Sequence, residues 1–442
     1  MGRRLQNVWL LLTSLIVYAW GGVSYTGMLL GSIVVNYGIG RLLHRPERGW
    51  WLALGVVYNL GVLAYFKYAM FAVGEVNTLL RWSGTAGYTI PRITLPLGIS
   101  FYTFQAISYL VDVYRGTTPA QRDPLQLGLF ISFFPQLIAG PIVRYADFRR
   151  QLTERTRSWE KTARGLERFL IGLAKKVLIA NTLASVVEEI YALDFSTMDP
   201  LTALAGVLLY AAQLYYDFSG YSDMAIGLGL LFGFRLPENF DFPYASRSIR
   251  EFWRRWHITL GAWFRDYLYI PLGGSRGGRW RTVRNLLLVF LATGFWHGAA
   301  WAFVLWGLWH GLFIVLERQP WWRLRGVAYA LPVTLLGWVL FRTESLALSL
   351  DYHAALFGLN ATTVPFDWAF YWSAEQTVAA LVALLGCWPW WRSLPRPKLA
   401  PAGALRSAVL PLGRLLGLLA LFFLCTNALV NNNLNPFIYF RF

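Results

Sequence analysis

Charge is scarce in this chain: only 14% of its 442 residues are Asp, Glu, Lys or Arg, where a soluble globular domain carries about 25%. The charge-free stretches recur along the sequence, too many for one soluble core, so lipid is the expected solvent. Cysteine occurs twice, and Cys387 and Cys425 both lie in apolar runs. That excludes a disulfide framework or a cysteine-based metal site. Histidine occurs five times without clustered carboxylates, which argues against any metal centre. Low-complexity tracts are absent, and so is an internal repeat, which weighs against a transporter built from inverted repeats.

What is present is apolar and basic. Hydrophobic residues make up 56% of the chain, and 40 Lys and Arg against 23 Asp and Glu give a net charge of +17. In a soluble protein that excess would point to nucleic acid. Here the basic residues sit in short links at 41–49, 144–164, 235–284, 318–325 and 392–398, where the positive-inside effect accounts for them and no nucleic-acid partner is needed. Apolar runs separate the links, and all the links fall on one side of a membrane under two conditions. The run 126–143, broken by Pro135, Gly140 and Pro141, must enter and return without crossing. The run 166–183, which carries Glu167, Arg168, Lys175 and Lys176, must lie at the interface. The N-terminal apolar run lacks a small-residue cleavage site and reads as a retained first helix. Leu286–Leu316 carries no formal charge over 31 residues. As one helix it would be about 46 Å long, against a hydrocarbon core of about 30 Å. A hairpin bent near Gly298 fits the parity, and the count is then about eleven spans.

His297 lies twelve residues into that run, in Gly-Phe-Trp-His-Gly298, about 18 Å of helix rise from its start. Ionisable groups at such depth are costly and usually line a cavity or reaction path. A neutral imidazole there can take a proton from an alcohol; the plainer alternative is a core histidine packed between Trp296 and Trp301. His310 follows thirteen residues later. On a straight helix it stands about 20 Å away and on another face, so it is assigned a supporting role that needs a break near Gly298. Residues 250–267 approximate one amphipathic helix. Trp253, Trp256, Leu260, Trp263, Phe264 and Tyr267 share a face, Arg254, Arg255 and Arg265 gather on the other, and His257 falls at the edge of the aromatic stripe, pointing towards the bundle. An interfacial anchor and a polar wall of an acyl path both fit this pattern. The arginines from Arg247 to Arg284, with Arg254, Arg255 and Arg265 foremost, are candidates for the phosphates of a nucleotide-bearing donor, although positive-inside bias puts arginines in the same place. Asp217 and Asp223 stand between two apolar runs, either in structural ion pairs or at an extracytoplasmic mouth. From a different class, intramembrane His and Asp lining a permeation path would make the chain a transporter.

Several stretches together carry a family resemblance: Leu95–Gln105 with Asp112-Val-Tyr-Arg115, Phe133–Pro141, Tyr216–Asp223, Asn239–Gly274, Gly294–Gly311 and Asn435–Tyr439. The most specific element is Arg-Arg-Trp-His257 followed forty residues later by Phe-Trp-His-Gly298. The chain resembles the membrane-bound O-acyltransferase (MBOAT) family in its bacterial polysaccharide branch. The resemblance implies an all-α polytopic fold, one domain over 1–442, in which 235–285 is a cytoplasmic or interfacial motif region and 286–316 the catalytic-histidine segment. It implies that His297 matches the active-site histidine and His257 the second motif position, with Trp256, Trp296 and His310 in support. The implied reaction moves an acetyl group from cytoplasmic acetyl-CoA, as substrate and with no tightly bound cofactor. The acceptor would be an exported polysaccharide of the alginate type or a periplasmic or surface acetyltransferase subunit, and the location the bacterial cytoplasmic membrane. D-Alanyl transfer to teichoic acid from a carrier protein is the alternative within the same family. Such proteins usually begin with a further apolar stretch before the Tyr18-Ala-Trp20 region, so either the start is truncated or the first helix is absent.

Overall fold

The computed structural model describes residues 2–393 and 404–431; the resembling segment Asn435–Tyr439 lies outside the described residues. The first helices are α1 (Arg3–Trp20), α2 (Val23–Leu42), α3 (Arg48–Trp82), α4 (Ile99–Tyr114), α5 (Pro124–Ser132), α6 (Phe134–Leu137) and α7 (Tyr145–Glu154). Next come α8 (Trp159–Ala174), which runs through a π-helical stretch at Lys175–Ala180 into α9 (Asn181–Tyr191), and then α10 (Pro200–Leu231). Two short helices, α11 (Ile249–Arg255) and α12 (Ile258–Phe264), precede α13 (Gly278–His297) and α14 (Trp301–Leu316). The chain continues through α15 (Val327–Thr343), α16 (Leu346–Leu356), α17 (Trp368–Tyr371), α18 (Ala374–Gly386) and α19 (Ala404–Asn431). No β-strand occurs among the described residues. Among the described residues three helical stretches can cross a membrane by length and composition, Arg48–Trp82, Trp159–Tyr191 and Leu412–Asn431, and Trp301–Leu316, Val327–Thr343 and Ala374–Gly386 are shorter apolar helices. The all-α membrane class follows directly.

The described residues form two compact units. The first comprises Met1–Ser158, Gly229–Pro237 and Thr259–Ala300. Its helices close on one another at small residues: a Cβ on Gly40 would strike the Tyr109 ring, and one on Gly55 would strike Leu110. Between α2 and α3, Asn36 and Asn59 exchange amide bonds of 3.1 and 2.7 Å with both side chains buried, which satisfies polar groups that have no water to turn to. Asp123 caps α5, accepting from the Leu125 N–H with Pro124 at the first helical position. The run 126–143 is broken into α5, α6 and an irregular tail, and neither helix is long enough to cross, as Pro135, Gly140 and Pro141 predict.

The second unit comprises Trp159–Leu228, Glu238–Ile258 and Trp301–Phe442. Gly165 and Gly172 of α8 abut Gly227 and Gly220 of α10, with close backbone approaches that a Cβ would block. The seven-residue spacing on both helices brings the same two faces together twice. This tight seam seats an ionic cluster. Lys176 meets Asp217 at 2.5 Å with both side chains buried, while Asp223 takes Lys175 at 2.7 Å and Arg168 at 2.6 Å. The aspartates stand in ion pairs, the first of the two readings offered for them, and within a continuous helix of 32 residues rather than between two runs. The segment 166–183 lies inside a 33-residue stretch long and apolar enough to cross. Its Arg168, Lys175 and Lys176 meet α10 carboxylates, and Glu167 meets Arg414.

Removing one member of a buried pair leaves the other uncompensated. Lys176→Met is expected to cost about 3–5 kcal/mol of stability, with Lys176→Met/Asp217→Leu recovering most of the loss; thermal unfolding of both variants in one detergent checks this.

Candidate active site

His297 closes α13. Gly298 is extended (φ −164°, ψ 160°) and its N–H reaches back to Gly294 O at 3.4 Å, so the charge-free run is interrupted where the glycine predicts. The ring is buried, with 4% exposure, and Trp296 meets it edge to face at 4.9 Å. Its Nδ1 lies 2.8 Å from Thr293 O, one helical turn back. A carbonyl only accepts, so Nδ1 carries the proton and Nε2 is the proton-accepting nitrogen. The last carbonyls of a helix have no intrahelical partner. Here Lys67 of α3 supplies one, donating to the carbonyl of Trp296 and, at 2.9 Å, to that of His297. A cation at a helix C-terminus also complements the dipole. Trp296 packs against Phe101 and Phe104 of α4, which in turn stacks on Trp263 at 3.7 Å.

His257 sits at a break rather than on a helix. The continuous helix expected over 250–267 is corrected to α11, a kink at Trp256–His257, α12 and a π-helical end at Arg265–Tyr269. The cause is local: His257 has φ +44°, a left-handed conformation that side-chain-bearing residues adopt only when the surroundings enforce it. Residues 239–241 enforce it. Ile258 N–H bonds Asn239 O and Asp241 N–H bonds Arg255 O, both at 3.0 Å, while Asn239 Oδ1 holds His257 Nδ1 at 3.0 Å. The ring is buried at 1% exposure, against Phe218 at 4.7 Å, turned inward as the sequence pattern predicts.

His310 lies in an aromatic cage within the same unit, between Trp253 at 5.1 Å, Trp306 at 5.4 Å and Phe252 at 6.3 Å. Gly337 makes room for it, since a Cβ there would come within 2.8 Å of Nε2. Phe252 also stacks on Trp256 at 5.6 Å, so Trp256 and His310 are two sides of one aromatic stack. Trp256, His257 and His310 thus belong to the second unit, and Trp296 and His297 to the first.

The three candidate arginines differ in occupancy. Arg255 is paired with Glu251 at 2.7 Å. Arg265 is held by both oxygens of Asp266, at 2.7 and 3.2 Å, and that hydrogen-bonded carboxylate raises its pKa. Arg254 has no carboxylate within ion-pair distance among the described residues. Arg250 has its pKa lowered by burial and then by Arg318. No group of three or more metal-ligating side chains occurs among the described residues.

Sequence reasoning missed Lys67 and Gln105. The signal for Lys67 was a lone cation inside the apolar run 51–73, the kind of intramembrane charge that calls for a named partner. Gln105 and Tyr102 lie on α4, the helix that packs on Trp296. The Gln105 amide, both atoms, and the Tyr102 hydroxyl are buried without a protein partner among the described residues, so water or substrate must satisfy them.

Lys67→Met is expected to lower kcat about 100-fold by letting the end of α13 shift. KM should change little and Lys67→Arg should restore part of the rate, as checked by steady-state acyl-transfer kinetics in lipid.

Comparison with known proteins identifies the family. The profile of the membrane-bound O-acyltransferase family matches residues 121–325, a span that contains His257, His297 and His310. A protein named probable alginate O-acetylase AlgI from Azotobacter vinelandii is 46% identical over 379 residues, covering 82% of this chain and 74% of that protein. A peptidoglycan O-acetyltransferase from Helicobacter pylori is 38% identical over 81% of this chain and 75% of its own length. A teichoic acid D-alanyltransferase from Bacillus subtilis is 30% identical, over 49% of this chain and 57% of its own. With its helices long and apolar enough for a bilayer, this chain belongs to the membrane-bound O-acyltransferase family and is a membrane O-acyltransferase.

Proposed function

We propose that the chain transfers acetyl groups from cytoplasmic acetyl-CoA towards hydroxyls of an exported polysaccharide of the alginate type, directly or through an extracytoplasmic partner protein. The setting is the bacterial cytoplasmic membrane, crossed about eleven times. The similarity to an alginate O-acetylase over 82% of the chain favours this acceptor class. D-Alanyl transfer, the other reading within the family, rests on a likeness that covers 49% of the chain.

The observation that carries the mechanism is the His297 Nδ1–Thr293 O bond of 2.8 Å, which leaves Nε2 as the base. The acceptor hydroxyl gives its proton to Nε2 while its oxygen attacks the thioester carbonyl. A C–O bond forms, the C–S bond breaks, and the imidazolium returns the proton to the departing thiolate. The group therefore moves without an acyl-histidine intermediate. A neutral ring suits a low-dielectric site, because the charge exists only while the proton is in transit. His257, fixed by Asn239, positions donor or acceptor with Trp256 and His310 in support, and Trp296 supports the His297 ring. Gln105 and Tyr102 supply hydrogen bonds to polar atoms of substrate.

The test uses purified full chain in phospholipid vesicles with acetyl-labelled acetyl-CoA and alginate, following thiol release and acceptor labelling together. His297→Ala is expected to lose about 10³-fold or more in both. A folded His297→Ala protein with wild-type transfer would refute the assignment.

A further inference from the structure

Arginines gather at a cavity in the first unit that the mechanism above does not use. It measures about 660 Å³ and is bounded by the first turn of α1, the loop at Gln121–Pro124 and the end of α7, within the range of about 300–1,000 Å³ usual for small-molecule sites. Arg3, Arg4 and Arg122 form its basic wall. None of the three meets a carboxylate within ion-pair distance among the described residues. Asp123, the acid in the wall, is already engaged: its Oδ1 accepts from the Leu125 N–H at 3.0 Å and its Oδ2 from the Gln126 amide at 3.2 Å.

The wall is held in place from behind. Gln121 Oε1 accepts from the backbone N–H groups of Arg122 and Asp123 at 2.8 and 3.1 Å, and its Nε2 donates to the Tyr145 hydroxyl at 2.9 Å. That fixes the loop carrying Arg122. Asn7, buried at 5% exposure, donates to Leu152 O at 3.1 Å, and Arg155 Nη1 reaches the same oxygen at 3.2 Å. Arg155 is itself buried at 3%, its Nε and Nη2 meet no protein acceptor among the described residues, and Phe234 lies under its guanidinium at 4.6 Å. Burial first, and then the charges of Arg3 and Arg157, push its pKa down to about 10. An enclosed cation is poorly screened, so Arg155 adds its field to that of the three arginines at the cavity. An anion there relieves the repulsion among all four.

The neighbouring surface says which anion. Leu5, Trp9, Leu12 and Ile16 are exposed and recur at helical spacing, so they form one apolar stripe of α1 that begins beside Arg4. From Leu5 to Ile16 the helix rises about 16 Å, close to half of a hydrocarbon core of about 30 Å. A soluble phosphate ester uses the arginines alone, whereas a phospholipid uses the arginines and the stripe together. Asn7 adds an acceptor: its Oδ1 meets no protein donor among the described residues, and the hydroxyls of a glycerol headgroup are donors. We propose that this cavity between α1, α5 and α7 binds an anionic phospholipid of the phosphatidylglycerol class, with its phosphate on Arg3, Arg4 and Arg122 and its acyl chains along the α1 stripe. Basic pockets between membrane helices take anionic headgroups by the same chemistry.

The test is native mass spectrometry of the full chain titrated with phosphatidylglycerol and with phosphatidylcholine in micelles, giving a Kd for each lipid. Wild type is expected to hold phosphatidylglycerol about tenfold tighter or more. Arg4→Gln and Arg122→Gln should each weaken phosphatidylglycerol about fivefold and leave phosphatidylcholine unchanged, and the double variant should multiply the two losses. Arg318→Gln, an exposed arginine of another basic link, serves as the control and is expected to bind as wild type. Glycerol phosphate, the soluble probe, should not displace the lipid at millimolar concentration. Equal phosphatidylglycerol affinity in wild type and both variants overturns the proposal and leaves these arginines to positive-inside bias. An equal loss in Arg318→Gln overturns it too, since surface charge in general would then be responsible. Displacement by glycerol phosphate overturns the lipid assignment and gives the cavity to a soluble phosphate ester.

Discussion

A polar group enclosed by apolar side chains and lipid must find its hydrogen bonds within the protein, because no water competes to supply them. Every feature of interest here is a solution to that constraint. His297 is tolerated because Thr293 O takes its Nδ1 proton, and the same bond decides which nitrogen can act as a base. The carbonyls that end α13 are tolerated because Lys67 reaches them from α3. Lys176 and Asp217 meet each other, and Asn36 and Asn59 do likewise. The Gln105 amide, which meets no protein group among the described residues, stands out against this rule on the helix that packs on Trp296.

Features set by local chemistry were legible in the sequence. Gly298 ends α13 beside His297, Pro135 and Gly140 break the run 126–143, and the charge deficit specifies an all-α membrane protein. Features set by partners distant in the chain were not. The periodicity of 250–267 is helical throughout, yet His257 adopts φ +44° because Asn239, 18 residues earlier, captures both its ring and the following backbone. The polar block at Asp217–Asp223 looks like a loop between two runs. It remains helical because Lys175, Lys176 and Arg168 arrive from α8 and its π-helical continuation to neutralise it. The same limit applies to the arginines. Sequence could propose any of them as a phosphate ligand, and only the structure reveals that Arg255 and Arg265 are already paired.

Helix α13 carries exposed arginines where it begins and a buried histidine where it stops. Acyl transfer needs the thioester carbonyl and the acceptor oxygen held together against one proton acceptor. The relatives that share this chain's family act on different acceptors by name, alginate and peptidoglycan among them, as expected if acceptor choice lies elsewhere on the protein.

The central claim is that His297 rests as a neutral ring protonated on Nδ1, with Nε2 ready to accept a proton. Solid-state ¹⁵N NMR of histidine-labelled protein in lipid, with His297 assigned by difference from His297→Gln, reads this directly. The account expects one protonated nitrogen, hydrogen-bonded as Nδ1–H, and one unprotonated Nε2 at neutral pH. An Nε2–H tautomer or a resting imidazolium would contradict it.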